Sequence, residues 1–276
     1  MLLTTAPTRQ EYKRVVERLR ALRVPFDEIS PDPGFARVGV PALVVDDDAR
    51  RALHPAAGDL TLAGWVQYRS PATIVPAFSP PVFAPDLVGQ VRIFVLAPCV
   101  ADEAKIRLIA QVSGDLEPAF PYLNAEIATA TYNAGARTFT FMDGHRLISL
   151  HPRRVAVAKA DDIVDGWRTL EVLRCLVNRT WTRRQEIEPS RELRRRPPTL
   201  EIFKRLPGTN CGLCGERTCF AFADRLRRGE GKPEECPAVF GGTHSHLQEA
   251  LLQVCAGLGS SPNTARNEPI EDVGHG

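Results

Sequence analysis

The sequence predicts a mixed α/β and α+β architecture: an N-terminal α/β unit, a middle helix-on-sheet unit, and a small C-terminal helical domain built around four cysteines. Three observations predict it. Strand-like and helix-like apolar periods alternate over the first 50 residues. A hairpin signal and a long helical apolar stripe occupy residues 138–182. Four of the seven cysteines fall between residues 211 and 236.

In the first unit, residues 1–68, "LLTTA" is an apolar strand. Thr8 followed by Glu11 has the spacing of a capping box, and Tyr12, Val15, Leu19 and Leu22 then recur on one helical face. "VPFDEIS" and "GVPALVVDD" read as strands, the second introduced by Pro41. The β-α-β-β order is similar to that of thioredoxin-like domains, without the C-x-x-C that would bring their redox chemistry.

Residues 69–89 form a connector. "RSPATIVPAFSPPVFAPD" holds five prolines, which exclude a helix and stiffen the chain, as a packed link between units requires. The middle unit, residues 90–185, opens with the strands "VRIFVLAP" and "KIRLIAQVSG". "DLEPAFPYLNA" is a short helix interrupted by proline, and "ATATYN" a strand. In "TFTFMDGHRLISLH", Asp143–Gly144 separates two alternating runs, as a two-residue hairpin turn does. "RRVAVAKA" adds a strand. Asp161 or Asp162 then caps a long helix whose Ile163, Trp167, Leu170, Leu173, Val177 and Trp181 make one apolar stripe to lie across the sheet.

Residues 186–198 are an arginine- and proline-rich linker. The wider stretch 179–198 sets seven arginines against three glutamates, a solvated tether or a docking strip for an acidic redox partner. The four-cysteine domain spans 199–257, and the apolar-poor residues 258–276 read as a disordered tail. A net charge of +2 gives no reason to expect nucleic acid. No apolar run reaches the roughly 18–20 residues of a membrane span, and "MLLTTAPTRQEYKR" lacks a signal-peptide core. The expected location is the cytoplasm, where thiols stay reduced and clustered cysteines favour metal over disulfides.

Cys211, Cys214, Cys219 and Cys236 are spaced C-x2-C-x4-C-x16-C. Three closely spaced thiolates can hold three corners of an iron–sulfur cube, and a fourth from a separate segment closes it. A zinc ribbon would prefer a second C-x2-C knuckle, so the spacing favours iron and sulfide over zinc. Gly208, Gly212 and Gly215 allow tight turns. "ERTCFAFADRLRR" reads as a helix with Cys219 in its first turn, where free amides favour an anion. Phe222 and Leu226 fall on the face of Cys219, and Gly229 and Gly231 stop the helix. Upstream, "TLEIFKRLPG" is a short helix expected to pack through Leu200, Phe203 and Leu206.

The run "LPGTNCGLCGERTCFAFA" followed by "ECP" resembles the four-cysteine [4Fe–4S] domain of the corrinoid iron–sulfur protein large subunit and of the Rnf complex B subunit. The resemblance covers residues 198–240 and implies one low-potential [4Fe–4S] cluster on Cys211, Cys214, Cys219 and Cys236. The corrinoid-serving barrel, the membrane anchor and the ferredoxin-type cysteine runs of those proteins are not expected from this sequence, so the resemblance does not carry over their activities. More loosely, "PYLNAEIATATYN", "HRLISLHPRRVAVAKADD" and "LVNRTWTRRQEIEPS" are similar to bacterial and archaeal iron–sulfur-binding proteins of undefined function.

The resemblance implies an electron-transfer or electron-donating accessory protein for a redox partner, by analogy a corrinoid or nitrogenase-like reductive system, rather than an enzyme complete in itself. The alternatives are an oxidoreductase subunit with substrate in the N-terminal or middle unit, and a non-redox scaffold or oxygen sensor. No catalytic triad, Walker loop or H-E-x-x-H is present. Cys99, Cys175 and Cys255 read as apolar core residues, and His244 and His246 as bystanders near a helix start.

Overall fold

The structure is a computed structural model that describes residues 1–53, 60–71, 79–127, 130–192 and 197–255. Among the described residues, two antiparallel sheets carry helices packed on them and are followed by a C-terminal group of short helices. The first unit runs β1 (Leu2–Thr5), α1 (Arg9–Ala21), β2 (Asp27–Ile29), β3 (Ala42–Val45), α2 (Asp47–Leu53) and β4 (Val66–Gln67). Thr8 caps α1 by accepting from the Glu11 amide at 3.1 Å, while its hydroxyl donates to the Glu11 carboxylate at 2.8 Å. The glutamate thus returns to the threonine side chain rather than to its amide, a variant of the expected box.

The strands lie in the order β2-β3-β1-β4, with every pair antiparallel. Because β1 and β2 both flank β3, α1 does not join adjacent parallel strands, and the similarity to a thioredoxin-like unit stops at element order. Alternation splits this sheet between two cores. Leu43 and Val45 meet Tyr12, Val15 and Leu19 of α1, whereas Leu3, Ala42, Val44 and Val66 join the core of the larger sheet. Gly64 stands at the seam with φ +129°, where a Cβ would fall 2.2 Å from the Leu96 carbonyl oxygen.

The larger sheet comprises β5 (Val91–Pro98), β6 (Ile106–Val112), β7 (Thr131–Asn133), β8 (Thr138–Asp143), β9 (Arg146–His151) and β10 (Arg154–Ala160), ordered β5-β6-β10-β9-β8-β7. A 3-10 turn at Glu117–Ala119 leads into α3 (Phe120–Glu126), and α4 (Ile163–Thr182) follows β10. Asp143 pairs with Arg146, so the two turn residues are Gly144 and His145, one position later than the sequence pattern indicates. Gly144, at φ +57°, supplies the positive φ that a type II′ turn needs first.

Asp162 is the cap of α4, accepting from the Asp165 amide at 2.9 Å. Ile163, Trp167, Leu170, Leu173 and Val177 are buried against Leu108, Leu150, Val155 and Val157, and Trp181 is half-buried at the end of the stripe. At Gly166 a Cβ would come 2.5 Å from Leu108 Cδ2, so the glycine lets α4 approach the sheet. Arg174 is fully buried. It pairs with Glu171 at 2.7 Å and Asp86 at 3.2 Å, and donates to the Pro81 carbonyl, fastening the described part of the proline-rich segment to α4. Residues 72–78 of that segment lie outside the described residues. Before 193–196, which are likewise outside, the chain is tied to α3: the Asn124 amide donates to the Ser190 and Glu192 carbonyls.

The C-terminal helices are α5 (Thr199–Phe203), α6 (Cys219–Arg228), α7 (Pro237–Phe240) and α8 (Gln248–Cys255). They pack on the sheet face opposite α4, through Cys99, Leu147 and Ala158. Ile202, fully buried, replaces Leu200 as the inward residue of α5, and Leu200 is 52% exposed. A five-residue helix shows too little of its period for sequence spacing to fix which face turns inward. The expected tail, 258–276, lies outside the described residues. Among the described residues no helix is long and apolar enough to cross a membrane.

Candidate metal centre

Three short segments carry the four motif cysteines: the loop after α5 holds Cys211 and Cys214, the first turn of α6 holds Cys219, and the N-cap of α7 holds Cys236. All are free thiols. Cys219 and Cys236 are buried in one apolar cluster with Phe222, Leu226, Val239 and Leu251, and Cys214 packs against it. Cys211 faces solvent. Among the described residues, no three His, Cys, Asp or Glu side chains are grouped as they would be around a single metal ion.

The loop holds its shape through local bonds. Gly212 and Gly215, at φ +73° and +84°, form a turn closed by the Gly215 amide on the Gly212 carbonyl at 3.0 Å. Nothing stands within 4 Å of a Cβ built on Gly212, so that side of the loop is open. Asn210, itself at φ +51°, accepts from the Cys219 amide at 2.9 Å and so fixes the loop to the start of α6. Thr218 caps the helix by accepting from the Ala221 amide, and Gly229, at φ +75°, ends it.

Arg225 joins the cysteine-bearing segments from the other side. Its guanidinium pairs with Glu216 at 3.3 Å and with Glu235, next to Cys236, and lies 5.2 Å over the Phe222 ring. Gly231 makes room for it, because a Cβ there would be 2.8 Å from Arg225 Nε. Asn210, Thr218 and Arg225 are supporting residues that the cysteine spacing does not identify. Asn210 and Thr218 directly precede a cysteine in the sequence, which is the signal that could have found them.

The thiols differ in acidity. The Leu213 amide and then the Thr209 hydroxyl hold exposed Cys211 below the usual thiol range. Burial pushes Cys236 up, opposed by the Val239 amide and reinforced by negative charge on Cys214 and Cys219. Of the remaining cysteines, Cys99 and Cys255 are buried in the same cluster, Cys255 with its pKa pushed up to about 12 by burial. Cys175 is half-buried rather than in the core, since its thiol turns to the Glu171 carboxylate at 3.4 Å.

The donor set fits an iron–sulfur group: four thiols without disulfides, two on a glycine-turned loop, with backbone amides at the sulfurs of Cys211 and Cys236. Leu213 next to Gly212 is 66% exposed, and Phe220, half exposed, lies edge-on to Phe203 of α5.

Comparison with known proteins reaches this region. The family described as "Putative Fe-S cluster" matches residues 206–238. The acetyl-CoA decarbonylase/synthase complex subunit gamma 2 of Methanosarcina thermophila is 60% identical over 40 residues, 14% of this chain and 8% of that protein. The corrinoid/iron-sulfur protein large subunit of Moorella thermoacetica is 42% identical over 65 residues, 23% of this chain and 15% of that protein. The subunit gamma of Methanopyrus kandleri is 42% identical over 52 residues, 19% and 11% of the two chains. This chain therefore spans less than a sixth of the length of these relatives. No solved structure matches. The shared segment supports an iron–sulfur cofactor.

Proposed function

We propose that the chain holds one [4Fe–4S] cluster on Cys211, Cys214, Cys219 and Cys236 and serves as an electron-transfer or electron-donating accessory protein to a redox partner. The observation that carries this reading is the placement of four free thiols on three segments braced together by Asn210 and Arg225. A bound cluster would supply a one-electron couple. The protein's part is to hold and tune it. The amides at Cys211 and Cys236 stabilise thiolate charge, and the N-terminal end of α6 adds its positive dipole beside Cys219. Phe222, Leu226 and Leu251 exclude water on the inner side, while exposed Cys211, Leu213 and Phe220 leave an edge for a partner to approach. The relatives named above as complex subunits are consistent with a protein partner, and a corrinoid or other reductive system fits by analogy.

Anaerobic purification tests the reading. The protein should be brown, hold about four irons per chain, and give a one-electron paramagnetic signal with a strong reductant. Stoichiometric zinc without charge-transfer absorption would rule the cluster out. A cluster that cannot be reduced reversibly would shift the role to the scaffold or oxygen sensor.

A further inference from the structure

The sheet face opposite α4 is only partly covered by the C-terminal helices. Between β6, β9 and β10 and the outer side of α8 lies a groove of about 620 Å³, a size that suits a small organic molecule. Its composition is unusual for a gap between packed elements. Buried side-chain nitrogens without hydrogen-bond partners belong to three residues that line it: Arg107 Nε and Nη1, His151 Nε2 and Gln253 Nε2. Gln253 is only 7% exposed and Arg107 nearly as buried. An unsatisfied buried polar group is destabilising, so the Arg107 and Gln253 donors beside one groove point to acceptors that the chain itself does not provide.

Arg107 has one acidic neighbour, Glu249 of α8, at 3.5 Å from Nη2, an ion pair that leaves the other two guanidinium nitrogens unused. Arg154 adds a second positive charge to the lining. Burial, then Arg154, lowers the pKa of His151 to about 4, so its ring is neutral near pH 7 and does not compete for an anion. The remaining wall is mixed: Thr138, Ser245, His246 and Gln248 are polar, and Ile109 of β6 on the floor strand, Ala156 and Leu252, exposed at the rim, form its apolar part.

We propose that this groove binds an organic acid, its carboxylate on the Arg107 guanidinium and Gln253 amide and its apolar body against Ile109 and Leu252. Guanidinium and amide are donors without acceptors, and a carboxylate brings acceptors alone. The apolar part of the wall, Ile109, Ala156 and Leu252, favours a carboxylate with a hydrocarbon chain over a compact, strongly hydrated anion. The site stands on its own residues and does not depend on the cluster assignment.

Calorimetric titration of the full iron-loaded chain with hexanoate, succinate and inorganic phosphate tests the proposal. A carboxylate should bind one per chain and more tightly than phosphate. Arg107→Gln should weaken it at least tenfold with iron content and visible absorption unchanged. Leu252→Trp, which fills the rim without touching the buried polar groups, should weaken it comparably and stands as the test if Arg107→Gln does not fold. Absence of carboxylate binding at millimolar concentration, tighter binding of phosphate, or binding unaffected by Leu252→Trp would overturn the assignment.

Discussion

Lys159 places its ammonium 3.2 Å from the Glu201 carboxylate, across the boundary between β10 and α5. A bulge makes this possible. Between Ala158 and Ala160 the β6–β10 register shifts, and Lys159 takes φ +65°. Ala158 therefore faces the C-terminal helices while Ala160, two residues on, turns into the opposite core. Burial pushes the Glu201 pKa up, but Lys204, Arg205 and Lys159 outweigh it and hold it at about 2.

Glu201→Gln should therefore loosen the docking of α5. Removing one partner of this largely buried group is expected to cost about 1–3 kcal/mol, a drop of a few degrees in Tm for a chain of this size. Because the folded pKa is depressed, the stabilisation is present above the unfolded value near 4.5 and is lost as pH falls towards 2. Scanning calorimetry should show the wild-type advantage steady from pH 8 to 5.5 and shrinking below 4.5. An advantage that grows on acidification would show the sign to be wrong.

Serine at Cys211, Cys214, Cys219 or Cys236 should each lower iron content, because an alkoxide is too hard and too basic to replace thiolate at a cube corner. Cys175→Ser should not, since that thiol points to Glu171 on α4. Cys99→Ser and Cys255→Ser are the sharper controls, because both are buried in the cluster of apolar side chains that also holds Cys219 and Cys236. They should reduce Tm modestly and keep the iron. Iron analysis of the seven anaerobically purified variants separates ligands from packing residues.

Asn210→Ala should keep every thiol and still weaken the site. It removes the acceptor for the Cys219 amide and leaves alanine at φ +51°, a conformation that costs it roughly 1 kcal/mol. Arg225→Leu should act alike by releasing Glu216 and Glu235. Both variants are expected to load iron but lose it several-fold faster to a chelator. Chelation rates equal to wild type would show that the loop is set by its glycines alone.

The sequence carried the periodic elements and left out what depends on contacts between them. The apolar stripe of α4 and the caps Thr8 and Asp162 are local, and local chemistry places them. The bulge at Lys159 is invisible in "RRVAVAKA", which alternates like an ordinary strand up to the point where the register shifts. The hairpin turn moved by one residue because Asp143 is drawn into the ladder opposite Arg146, a pairing that composition does not encode. At the cysteine site the four-thiol pattern is legible in the sequence alone, because iron–sulfur chemistry demands thiols at close spacing. Arg225 was not, since its partners Glu216 and Glu235 are brought to it only by the fold.

A cluster with four thiolates carries net charge −2 oxidised and −3 reduced, so a dry wall opposes reduction and nearby donors and cations favour it. Here Phe222, Leu226 and Leu251 would form the wall, while the start of α6 supplies its dipole, and Arg225 is paired with Glu216 and Glu235. The apolar side should prevail and set the midpoint well below the nicotinamide couple. Phe222→Gln, which brings a polar group to the wall, should raise it by tens of millivolts at unchanged iron content. The proposed docking strip includes Arg194, Arg195 and Arg196, which lie outside the described residues. Changing the three to glutamine should slow electron exchange with an acidic partner, most at low salt where steering is least screened, and leave the midpoint in place. Voltammetry and stopped-flow kinetics on the same samples distinguish the two effects. A midpoint that follows the arginines and ignores Phe222 would mean that long-range charge, not the wall, sets the potential.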